Sequence, residues 1–221
     1  MGKTMTAERA ERCLAEAARS PFGDARVRYP AWYLQRWHFL PEGYLSRRSA
    51  AGYDRLVRNF YNATAERRLL ATLVAKLAGQ RPASVIDIGC GPGRALERVA
   101  QTLPDARLVG IDLSPFNLER AESRLATAAV ELVHADALAV PFEGESFAAA
   151  VASHVIGHLP RDAARTVWDE VARLLEPGGR FYVADHRWHP EFEAPLRLLA
   201  RGHVIGGLVR FSVFEKPAEA A

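Results

Sequence analysis

Three glycines at alternating positions, Gly89, Gly91 and Gly93, follow the apolar run Val85-Ile86-Asp87-Ile88 and precede Arg94, where a helical pattern begins. Glycines at that spacing let backbone approach a ligand closely. A helix start behind them offers free N–H groups and a positive end to an anionic group. Asp112 follows one strand–helix–strand unit later, where a short carboxylate can accept from both hydroxyls of a ribose. The combination suits a nucleoside-like cofactor held at the carboxyl end of a strand. A dinucleotide loop, G-x-G-x-x-G, wants its third glycine where Arg94 stands, and Pro92 removes one N–H donor. These changes weaken a pyrophosphate cradle but not close approach to an uncharged or zwitterionic group.

Histidines supply the candidate proton-transfer chemistry. His154 and His158 follow one strand pattern, and His186 and His189 follow the next, beside Asp185. An unperturbed imidazole titrates at about 6.5 and can take a proton from a phenol or similar acid. Packing is the alternative role for His158. The spacing of Asp185, His186 and His189 matches no established ligand motif, so no metal is expected. The two cysteines, Cys13 and Cys90, cannot build a disulfide framework or a cysteine zinc site. Cys90 reads as a small packed residue of the loop.

The elements that must position these groups alternate. Ser84–Ile88, Arg107–Ile111, Val130–His134, Phe147–Ser153 and Arg180–Ala184 read as strands. Arg94–Thr102, Pro115–Thr127 and Arg161–Leu175 read as helices, with Ser114-Pro115 as a start signal and Pro177-Gly178-Gly179 as a stop. Such alternation predicts an α/β fold: a Rossmann-like, doubly wound, mainly parallel sheet covered on both faces. Before it, Ala7–Ser20 and Ala50–Leu77 read as helical, around an aromatic stretch containing Trp32, Tyr33, Trp37 and Phe39. After it, Phe192–Arg201 reads as a helix, then Gly202–Gly206 and Leu208–Glu215 as a strand pair. The expected organisation is a helical extension or lid over residues 1–80 and a cofactor-binding domain over 81–221.

At 221 residues, with 49% hydrophobic and 25% charged residues, the composition is that of an ordinary globular protein. The net charge of +3 is small. The arginines between Arg36 and Arg68 are interleaved with Glu42, Asp54 and Glu66, a solvated face rather than a phosphate track, so no nucleic-acid partner is expected. No apolar run reaches the roughly 20 residues that span a bilayer, and the amino terminus lacks a signal-like apolar centre. The expected setting is the cytoplasm, without stable membrane insertion, as a monomer or homodimer.

Asp87-Ile88-Gly89-Cys90-Gly91-Pro92-Gly93 resembles the first motif of class I S-adenosylmethionine-dependent methyltransferases. The resemblance continues in register through Gly110–Pro115, Ala135-Asp136-Ala137, Ser153–Leu159 and Leu174–Arg180, covering roughly Ser84 to Asp185. It implies S-adenosyl-L-methionine as cofactor, with Asp112 on the ribose, Asp87 toward the amino group, and Asp136 and Ala137 on the adenine. It further places Gly89, Cys90, Gly91, Leu113, Ser153 and His154 against the cofactor, and Tyr53 on a covering helix. The implied reaction is methyl transfer to oxygen, nitrogen or carbon of a small, aromatic or polyketide-like acceptor. His154, His158 and His186 are the candidate catalytic residues. A cyclase-like relative using the same cofactor, a non-catalytic cofactor-binding subunit and a nicotinamide dehydrogenase are the alternatives. The fourth strand lacks the Asn-Pro-Pro-Tyr sequence of enzymes that methylate adenine bases or glutamine side chains.

Overall fold

The structure is a computed structural model that describes residues 4–35, 40–60, 62–186, 188–192 and 195–218. Trp37 and Phe39 lie outside the described residues. Helix α1 spans Ala7–Ala17, α2 Arg47–Phe60 and α3 Asn62–Gln80. The α/β part then runs β1 (Ser84–Ile88), α4 (Arg94–Thr102), β2 (Arg107–Asp112), α5 (Pro115–Arg124), β3 (Val130–His134), β4 (Phe147–Ser153), α6 (Arg161–Leu174) and β5 (Leu175–His186). Strands β6 (Arg197–Val204) and β7 (Val209–Glu215) complete it.

The sheet has seven strands in the order β3-β2-β1-β4-β5-β7-β6. Strands β1 to β5 pair in parallel, and β7 pairs antiparallel with both β5 and β6. Alternate residues serve opposite faces, as the two-residue period of a strand requires. Val85, Ala149, Val151 and Tyr182 pack with Leu69, Leu73 and Leu77 of α3. Ile86, Ala150, Phe181 and Val183 pack with Val167 and Trp168 of α6 on the other face. Trp168 is fully buried, with its ring centroid 4.7 Å from Phe214 and 5.2 Å from Phe181. Truncating such a side chain costs about 3–5 kcal/mol.

The amino-terminal segment forms its own cluster. Met5, Cys13, Ala17, Tyr33, Leu45 and Ala50 pack around Phe116 of α5. Ser114 caps α5 by accepting from Asn117 N at 3.3 Å and donates to Tyr44 O at 2.6 Å, tying this segment to the sheet.

The carboxyl-terminal helix expected over Phe192–Arg201 does not form. Arg197–Val204 is an edge strand instead, starting before the expected Gly202. Its Leu-rich composition favours a helix locally, but β7 needs a hydrogen-bonding partner along its outer edge, and that long-range pairing wins. Leu196 is buried just before the strand, while Leu198 and Leu199 on it are exposed, as at the open edge of a sheet. The expected turn at Gly206-Gly207 is present, both residues having positive φ.

Candidate active site

The strand order reverses between β1 and β4, and a crevice opens at the carboxyl ends of strands at such a point. A cavity lies there, bordered by the ends of β1, β2, β3 and β4 and by the amino-terminal segment. Every residue expected to touch the cofactor, from Tyr53 to His154, lines it, as does His158. His186 is not part of that lining.

The glycine loop owes its path to backbone freedom. Gly91 (φ +55°) and Gly93 (φ +78°) both occupy the left-handed region. A Cβ on Gly91 would meet nothing within 4 Å, whereas one on Gly93 would sit 3.1 Å from Ala121 Cβ of α5 and from Cδ1 of Leu125, which caps that helix. Gly91 keeps backbone open toward the cavity; Gly93 lets α5 pack.

Asp112 is buried and more heavily engaged than its expected ribose role suggested. Its Oδ2 accepts from Gly91 N at 2.8 Å, and its Oδ1 accepts from Ser114 N at 2.7 Å and Asn117 Nδ2 at 3.3 Å. A carboxylate offers about four acceptor positions, so capacity for a hydroxyl remains. Burial raises the Asp112 pKa, and these three hydrogen bonds oppose the shift. Asp87, also buried, is pushed up to about 8, first by desolvation and then by the charge of Asp112. A cationic ligand group beside it would restore its ionised form. Asp136 accepts from Leu138 N at 3.0 Å, and burial raises its pKa. Burial, with Asp112 and Asp87 nearby, also holds the Cys90 thiol protonated, which argues against a nucleophile.

Sequence reasoning missed Asn117. It lines the cavity, orients Asp112, and among the described residues its buried Oδ1 has no hydrogen-bond partner. An unsatisfied buried acceptor is costly unless a ligand donor completes it. The available signal was an amide one turn inside a helix, where it competes with the backbone, five residues after Asp112. Arg94 was also overlooked as a lining residue. It, Arg120 and Arg124 surround the buried Asp54, at 3.8, 2.6 and 3.3 Å respectively, and Asp54 lines the cavity too. The donor set therefore fits a zwitterionic nucleoside: acids beneath it, an α4 start at Arg94, and one orphaned acceptor.

Aromatic rings and imidazoles also line the cavity. Trp32, Tyr33, Tyr44 and Tyr53 border it, Tyr44 and Tyr53 meeting edge to face at 5.2 Å, and His154 and His158 border it too. His154 has φ +57°, uncommon for a side-chain-bearing residue. His186 packs against both, 5.6 Å from His154 and 5.9 Å from His158 between ring centroids. His189 stands elsewhere. Its Nδ1 meets His186 O at 2.8 Å and its Nε2 lies 3.5 Å from Glu191, which Arg210, Arg201 and Ser212 also hold.

This arrangement of strand order, glycine loop and strand-end acids is the class I methyltransferase fold. Residues 85–179 match the methyltransferase domain family. It is 33% identical over 132 residues to a phthiotriol/phenolphthiotriol dimycocerosates methyltransferase of Mycobacterium leprae, a match covering 58% of this chain and 43% of that protein. It is 33% identical over 125 residues to an O-methyltransferase of Aspergillus nomiae, covering 55% of this chain and 54% of that one. The chain thus spans about half the length of these relatives. Among solved structures it resembles the N-methyltransferase NodS of Bradyrhizobium japonicum in complex with S-adenosylhomocysteine. There the TM-score is 0.61 at 24% identity, covering 74% of this chain and 91% of that one. Among the described residues no helix is long and apolar enough to cross a membrane.

Proposed function

We propose that the protein is a methyltransferase that moves the methyl group of S-adenosyl-L-methionine onto a small, apolar, aromatic or polyketide-like acceptor. The observation that carries this reading is one cavity lined both by the buried polar groups Asp87, Asp112 and Asn117 and by aromatic rings and imidazoles. Asp112 and Asn117 would take the ribose, Asp87 the amino group, Asp136 and Ala137 the adenine, and the start of α4 the carboxylate. When bound, the cofactor supplies a methyl group already activated on a sulfonium.

What remains for the protein is to position the acceptor and exclude water, which can account for most of the rate. The amino-terminal segment, residues 1–80, serves as the lid: Trp32, Tyr33, Tyr44 and Tyr53 form the apolar contact surface for the acceptor. His154 and His158 line the cavity and are the groups that would take a proton from the acceptor, with His186 packed against both. The buried thiols Cys13 and Cys90 suit the reducing cytoplasm, the compartment we assign.

Calorimetric titration tests the cofactor assignment. S-adenosylmethionine binds the wild type and binds Asp112→Ala at least about 10-fold more weakly, as loss of a charge-assisted contact implies. Binding of NAD in its place would overturn the reading. Release of S-adenosylhomocysteine in step with methylated product, across a panel of phenols and polyketide-like hydroxyls, tests the transfer.

A further inference from the structure

His154, at the end of β4, and Asp185 and His186, at the end of β5, each offer one donor atom, and the three atoms lie within 4.8 Å of one another. Asp185 is 0% exposed. Its Oδ2 accepts from Gly157 N at 2.8 Å and its Oδ1 from His186 N at 2.7 Å. Among the described residues, no lysine or arginine comes within 4.0 Å of this carboxylate. A fully buried carboxylate normally has a cationic partner or a metal ion.

The surroundings hold the three donors in place. The Gly157 turn closes directly on Asp185, since a Cβ there would lie 2.6 Å from its Oδ1. The His154 N–H donates to Ala184 O at 2.8 Å, which holds that residue in its left-handed conformation over β5. The His186 ring stacks on Trp188 with centroids 5.4 Å apart and planes 10° from parallel, and it meets His154 edge-on at 5.6 Å. Second contacts of this kind orient ligand groups around an ion.

We propose that His154, Asp185 and His186 bind a divalent transition-metal ion beside the cavity that His154 lines. Two imidazole nitrogens and one carboxylate oxygen, with further positions open, suit Zn²⁺, Fe²⁺, Co²⁺ or Mn²⁺. Mg²⁺ and Ca²⁺ prefer oxygen donors throughout. Donors about 2.0–2.2 Å from such an ion lie roughly 3–3.6 Å apart, so binding draws the imidazoles inward. The chain spacing of Asp185, His186 and His189 concealed this set, because its third member comes from the neighbouring parallel strand. His189 belongs to the Glu191 cluster instead. The open positions would hold an oxygen of the acceptor next to His158. That use rests on the methyl-transfer reading, whereas the ion site does not.

The test titrates chelator-stripped full-length protein with Zn²⁺ by calorimetry and with Co²⁺ by visible absorption. The wild type and His189→Ala take up one ion per chain. His154→Ala and His186→Ala, each first shown to be folded by circular dichroism, bind it at least about 10-fold more weakly. His186→Gln, which keeps the side-chain volume at a half-buried position, serves if either alanine variant unfolds. No uptake by the wild type, or equal affinity in the His154 and His186 variants, overturns the site. S-adenosylmethionine titrated into the stripped protein separates the two claims. Cofactor binding without ion uptake overturns the metal site alone; ion uptake without cofactor binding overturns the methyltransferase reading alone.

Discussion

The backbone N–H of Gly91 donates to Asp112 Oδ2 at 2.8 Å, locking the glycine loop after β1 to the end of β2. One carboxylate therefore fixes the shape of the loop and also lines the cavity.

That relationship separates two glycines that look alike in sequence. Gly93→Ala combines a left-handed φ with a Cβ crowding Ala121 and Leu125. It should destabilise the protein by about 2–4 kcal/mol, against about 1–2 kcal/mol for Gly91→Ala, which is strained but unobstructed. For S-adenosylmethionine affinity the order should reverse, because Gly91 borders the cavity and carries the donor to Asp112. Denaturant melts and calorimetry on both variants check this; the same ranking in both assays would refute it.

Asp87 makes ligand-free stability fall with pH. Its pKa is raised from 3.8 to about 8, so the folded state holds a proton that the unfolded state releases, and stability declines as pH rises through that window. Asp87→Asn removes the decline. Thermal melts between about pH 5 and 8 should show the variant gaining on the wild type as pH rises, while S-adenosylmethionine binds it about 10-fold or more weakly. Parallel melting curves would show that Asp87 is not the responsible acid.

Asp54 behaves oppositely. Burial pushes its pKa up, but the Arg120 hydrogen bond and the charges of Arg124, Arg120 and Arg94 outweigh that, so the net shift is downward. Its contribution is present above 3.8 and fades as pH falls below that value. Asp54→Asn leaves three guanidiniums facing one another and should cost about 1–3 kcal/mol near neutrality, allowing for their partial exposure. The difference from wild type should vanish in acid, as denaturant titrations at several pH values would reveal.

In its neutral form His134 latches the amino-terminal segment to the end of β3. Its Nδ1 accepts from Asp24 N at 3.0 Å, so the ring proton sits on Nε2, near Leu113 O at 3.2 Å and Tyr29 Oη at 3.1 Å. Burial lowers its pKa below 6.5, so this latch is complete above 6.5 and weakens as pH falls below it. Amide exchange across residues 20–35 should quicken on acidification in the wild type. In His134→Ala it should be fast throughout; an unchanged wild-type rate would dismiss the latch.

Much of the α/β part was readable because it is written locally. The two-residue and 3.6-residue apolar periods marked β1 to β5 and α4 to α6, and Ser114-Pro115 marked the start of α5. The left-handed turns of the glycine loop left a compositional trace that survives without any contact information. The residues of Arg197–Ala200 misled for the same reason: their local preference is helical, and only the open edge of β7 makes them a strand.

By itself, then, the sequence determined the parallel sheet, the glycine loop and the strand-end acids, since each follows from backbone geometry within a short span of chain. The tertiary structure alone decided which distant groups meet. It placed Asp54 among three arginines, engaged Asp112 with Gly91 and Asn117, and joined His154 to Asp185 and His186 while sending His189 to Glu191. Those encounters depend on neighbouring strands and packed helices far apart in the chain, which no local period records.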